Sequence, residues 1–170
     1  MFEIDIVTLS FAIVCLIAFV IPFYLNSKKS NKEKRQKESM LEEYLKSQNL
    51  KLDQKEIWRG QYFIGLDSDQ RKLVYIQNLK DFQPLLINLD EINYVSQHEV
   101  SRMIGTEKNQ RKVLDELYLQ LIGKNGKVKA SLEIYNGEIF SDLSGEPVLT
   151  RKWEALIKEE LRKFKLAEKL

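Results

Sequence analysis

The spacing of apolar and polar positions divides the chain into three regimes. Residues 6–25 read I-V-T-L-S-F-A-I-V-C-L-I-A-F-V-I-P-F-Y-L, without a charged side chain. As a helix this run is ~30 Å long, the thickness of a bilayer's hydrocarbon core. Residues 37–50 have strong helix formers and no Gly or Pro, with Met40, Leu41, Tyr44 and Leu45 on one face of a short amphipathic helix. From Ile57 the period drops to two, the signature of half-buried strands.

Residues 57–67 predict a first strand with Trp58, Tyr62, Ile64 and Leu66 on one face. Further strands are predicted over residues 71–78, 85–89, 93–101 and 113–123. Asn125-Gly126 is a hairpin turn, since both residue types tolerate positive φ. Its return strand alternates Val128, Ala130, Leu132 and Ile134 inward with Lys129, Ser131 and Glu133 outward. Asn136-Gly137 leads into a last short strand over 138–141. The period then lengthens again: Leu149, Trp153, Leu156, Ile157, Leu161 and Phe164 form one stripe of an amphipathic helix over 151–166, with Thr150 as its N-cap. The fold class is α+β, mainly β: seven antiparallel strands closed by a C-terminal helix. The domain reading is an anchor over 1–25, a basic segment and connector over 26–54, and a β domain over 55–170.

Charge gives the first regime a direction. The chain carries +2 overall, but residues 28–37 hold six basic side chains (Lys28, Lys29, Lys32, Lys34, Arg35 and Lys37) against Glu33. Met1–Asp5 contains two acids and no base. An acidic front and a basic rear do not fit a cleaved signal peptide. They predict a single-pass transmembrane helix in the cell's inner membrane, with the N-terminus outside and the β domain in the cytoplasm. The same six bases are the candidate contact for anionic lipid headgroups. Outside this block the chain is slightly acidic, which argues against nucleic acid as a partner.

Chemistry is sparse. The lone Cys15 sits in the apolar run and His98 is the only histidine, so a zinc site built on His and Cys is excluded. No phosphate-binding glycine loop or nucleophile elbow is present. Asp67, Asp69 and Asp90 sit in predicted turns, where Asp bonds its own backbone. No catalytic, cofactor or metal residue is assigned, and catalysis is not expected.

The strand succession, the I-x-L-x-x-I-x-x-V segment (Ile87, Leu89, Ile92, Val95) and the helix bearing Trp153 resemble a bacterial pleckstrin-homology-like (PH-like) domain. The resemblance covers roughly residues 55–166. It implies a partly open seven-stranded barrel capped by the helix, and a binding or docking role. Phosphoinositide-binding members carry a basic cluster around the first hairpin. Here that turn is Asp67-Ser68-Asp69-Gln70-Arg71, so inositol-phosphate binding is not expected. The expectation is a membrane-tethered adaptor that docks a protein or peptide. The alternative is a subunit of a membrane complex that associates through its transmembrane helix.

Overall fold

The computed structural model describes residues 6–106 and 109–167; the side chains of 6–8, 10–14, 22–27, 30 and 165–167 lie outside the described set. The chain divides into two units, Met1–Asn49 and Leu50–Leu170.

The first unit is one helix, α1 (Ile6–Ser47), 42 residues long. The expected connector helix is its last part rather than a separate element. Among the described residues no helix is long and apolar enough to cross a membrane. The helix α1 continues unbroken through the basic block into residues carrying Glu38, Glu42 and Glu43. The expected transmembrane helix, its direction, the single-pass topology and the inner-membrane location are corrected accordingly. Thr8, Ser10 and Ala12, small residues of the run suited to helix packing, and Pro22, Phe23 and Tyr24 at its end have side chains outside the described residues, while Ala18, a fourth small residue, is exposed.

The second unit holds seven strands and a helix. Strands β1 (Gln54–Trp58), β2 (Tyr62–Asp67), β3 (Lys72–Ile76) and β4 (Leu85–Asn88) form one antiparallel sheet in that order. Strands β5 (Ile92–Ile104), β6 (Arg111–Gly123) and β7 (Val128–Asn136) form the second. A single 3-10 turn, Leu89–Glu91, carries the chain from one to the other, with Asn88 accepting from the Asp90 N–H at 3.0 Å. Among the described residues no backbone ladder joins β4 to β5 or β7 to β1, so the expected partly open barrel is two separate sheets.

The strand count equals the expected seven, but the members differ. The predicted first strand is a hairpin. Arg59 and Gly60 both have positive φ (53° and 64°), and the Gln61 N–H closes the turn onto the Trp58 carbonyl at 3.2 Å. Two positive-φ central residues mark the primed turn whose twist suits a two-stranded ribbon. Trp58 and Tyr62 face each other across it with rings stacked at 5.1 Å. The predicted strand over 138–141 is absent: β7 ends at Asn136, whose carbonyl accepts from the Phe140 N–H at 3.0 Å in a turn.

The C-terminal helix, α2 (Glu146–Ala167), starts five residues before the predicted position. Gly145 caps it, its carbonyl accepting from the N–H groups of Val148 and Leu149 at 3.0 Å. Pro147 lies in the first turn, where a missing N–H leaves no helical bond unmade. Thr150 is inside the helix, donating to the Glu146 carbonyl at 2.7 Å. Leu149, Trp153, Ile157 and Leu161 enter the core shared by both sheets, beside Tyr62, Leu73, Leu89, Val95 and Leu119. This apolar burial is the main stabilising contribution to the unit.

Candidate functional site

Where β7 meets the first sheet, side chains rather than backbone bridge the gap. A bulge in the β6–β7 ladder, between the pairs Leu117↔Tyr135 and Tyr118↔Glu133, leaves Ile134 without a partner and breaks the alternation. A bulge re-aims the residues beside it. Glu133, read from alternation as outward and solvated, is 7% exposed. Its Oε1 accepts from the Tyr62 hydroxyl at 2.7 Å and from Gln77 Nε2 at 3.0 Å. Its Oε2 accepts from Asn136 Nδ2 at 3.1 Å. The Tyr75 hydroxyl donates to the Glu133 carbonyl at 2.6 Å, and Trp58 Nε1 donates to the Ile134 carbonyl at 2.9 Å. Burying a carboxylate is costly unless donors replace its water, and three donors do so here.

This network floors a cleft of about 460 Å³. Gln61, Asn78, Asp81 and Gln83 line its sides. Leu85 and Ile139 form its lips, 43% and 55% exposed. Its lining comes from β2, β3, β4 and β7 and from loops beside them, and β4 and β7 are each an edge strand of their sheet. A second depression of about 390 Å³ lies between β1 and the start of α2, lined by Glu56, Trp58, Val148 and Lys152.

Burial, and then the Glu133 carboxylate bonded to Tyr62 and close to Tyr75, push both phenols well above the usual tyrosine range. Tyr118, desolvated and bonded to Glu116 at 2.9 Å, is pushed up to about 12. A pKa raised on folding contributes stability that is complete below the unfolded value of 10.0 and is lost as pH rises above it. Urea midpoints are therefore expected to fall steadily as pH is raised past 10.0. Tyrosinate absorbance of Tyr62 and Tyr75 should appear only with unfolding. A protein with both changed to Phe should show a flatter profile. A midpoint indifferent to alkaline pH in the parent would contradict the buried phenols.

The residues singled out in the sequence lie elsewhere. Lys28, Lys29, Lys32, Lys34 and Arg35 are exposed on α1 and Lys37 is half-buried. At about 100° per residue, Lys28, Lys32 and Arg35 share a stripe, while Lys34 and Lys37 fall on the other side; Lys34 pairs with Glu38 at 4.0 Å. Asp67 is fully buried, its two oxygens accepting from the Lys51 and Gln70 N–H groups at 2.7 and 2.8 Å. Asp90 accepts from Arg71 Nε at 2.7 Å. Neither carboxylate lines the cleft, and Asp69 does not join them there. His98 is exposed, its ring 6.4 Å from that of Tyr118. Cys15 is exposed on α1. Among the described residues no group of three or more His, Cys, Asp or Glu side chains is placed to hold a metal ion.

No protein-family model matches the chain, and no curated protein or solved structure matches it either.

Proposed function

We propose that this chain is a PH-like docking module that takes an extended segment of a partner protein in the cleft lined by β2, β3, β4 and β7. The PH-like reading is supported by the division into a four-stranded and a three-stranded antiparallel sheet followed by a C-terminal helix. Fold alone does not supply a function, so the docking reading rests on the cleft. The observation that carries it is a hydrogen-bonded floor fixed in advance beneath two exposed aliphatic lips. About 460 Å³ falls within the ~300–1,000 Å³ typical of ligand pockets, and fixed polar groups under apolar rims suit binding and orientation. Among the described residues β4 has one edge outside any backbone ladder, and an extended chain can complete such an edge with its own N–H and C=O groups.

The test is a displayed library of random linear peptides, panned on the full chain and on a version carrying Leu85→Asp and Ile139→Asp. Both positions are exposed, so the double change is expected to leave folding within about ±0.5 kcal/mol per site. Selected peptides should bind the parent at least about tenfold more tightly than the lip variant, as for loss of central apolar anchors. Failure to select any peptide, or selection indifferent to the lips, would remove the cleft as the docking site.

A further inference from the structure

The charge of the cleft is one-sided. Glu133 supplies a carboxylate at its floor and Asp81 a second at its wall, while the remaining polar lining is amide and phenol. Among the described lining residues none is Lys, Arg or His. Ion pairs occur widely elsewhere in the described chain, and none of them engages Glu133 or Asp81. The elements around Glu133 meet it with neutral groups only: Tyr62 from β2, Gln77 from beyond β3, and Asn136 from β7 itself. These donors replace hydration, but they bring no opposing charge to a carboxylate that is 7% exposed. A carboxylate offers about four acceptor sites, and the three bonds leave Oε2 with room for a further donor.

Building on the docking reading, we infer that the cleft selects a basic side chain, arginine or lysine, carried by the extended partner segment. The cation enters between the lips, its aliphatic stem lying against Leu85 and Ile139 and its charged end reaching the Glu133–Asp81 side of the cleft. A stem that is apolar along its length and charged at its tip suits a cleft with apolar lips and an acidic interior. The phenols of Tyr62 and Tyr75 stay protonated, so Glu133 keeps its donors while it receives the incoming charge. An acidic or phosphorylated segment would meet two carboxylates at close range with no cation to offset them, and is rejected.

The peptides selected above provide the probes. Their sequences should be enriched in arginine or lysine at one fixed position. Synthetic versions with citrulline or norleucine at that position should bind the full chain at least about tenfold more weakly by fluorescence anisotropy, as expected when a charge pair in a partly desolvated site is lost. Glu133→Gln should lower the arginine-to-norleucine affinity ratio at least about tenfold. Since Glu133 also holds the two sheets together, Asp81→Lys provides a second variant at an exposed position: it should lower the arginine-to-norleucine affinity ratio at least about fivefold. Lip-dependent peptides without a basic residue, or a ratio unmoved by Asp81→Lys, would overturn the charge inference and leave the docking reading standing. A panning that selects nothing would take both down.

Discussion

Changing Trp153 to alanine is expected to cost about 3–5 kcal/mol, the range for truncating a buried tryptophan. Trp153 is 1% exposed and is the largest fully buried side chain. It sits on the α2 stripe that faces the core, while its indole N–H reaches Glu56 of β1 at 3.1 Å. One side chain therefore ties the helix to the edge of the first sheet while its ring fills the space against the second. The neighbouring Lys152 bonds the same Glu56 oxygen at 2.6 Å, but it is half-exposed and contributes little by itself. The lost ring leaves a cavity that only a shift of α2 can fill, and a shift uncovers Leu149 and Ile157. For a unit of this size the melting temperature should fall by roughly 10–20 °C. Trp153→Phe keeps most of the volume and loses the hydrogen bond, so it should cost distinctly less. Urea denaturation of both variants, followed by circular dichroism, measures the difference. A Trp153→Ala protein within about 1 kcal/mol of the parent would mean that α2 is not the plug of this core.

That helix was the most legible part of the chain, because a stripe of large apolar residues at helical spacing has few ways to be buried. Its beginning was less so. Thr150 looks like an N-cap, but Pro147 suits a first turn and Gly145 a cap, and both lie before the apolar stripe starts. The β-rich class and the Asn125-Gly126 turn followed from period two and turn chemistry. The break at Arg59-Gly60 did not, since an arginine at positive φ leaves no trace in hydrophobic alternation; the following glycine was the one available signal. Splitting the predicted barrel into two sheets depends on which strand ends fail to pair, and strand patterns do not encode that. At residues 6–25 an uncharged run of bilayer length suggested a membrane span, and the correction came from the finding that no helix among the described residues is long and apolar enough to cross a membrane. The cleft was the least legible feature. Alternation put Glu133 in solvent, and only the bulge at Ile134 together with donors from β2 and the end of β3 buries it. Those donors are 56–71 residues away in sequence, so no local pattern could bring them to it.

The Arg59 turn carries the second large expected effect. Arg59 Nε donates to Glu146 Oε1 at 2.5 Å, while its Nη groups reach Asp142 and its guanidinium lies 4.7 Å over the Phe140 ring. Glu146 is 2% exposed and begins α2, where its charge also suits the positive end of the helix dipole. Breaking a buried ion pair from one side costs ~3–5 kcal/mol because a desolvated charge is left unmatched. Arg59 keeps 16% of its side chain exposed, and its second partner Asp142 is 71% exposed, so water can partly replace the cation. Arg59→Ala is therefore expected at the low end, about 3 kcal/mol. Relief of the positive φ at residue 59 offers no offset, since alanine is strained there too. Glu146→Gln removes the charge and keeps an acceptor, and should cost less. In the Glu146→Gln background, Arg59→Ala should then lose most of its effect, which a double-mutant cycle in urea reads directly. Equal costs of Arg59→Ala in both backgrounds would show that the arginine acts through its stacking on Phe140 and its bond to the Asp142 carbonyl rather than through the buried charge.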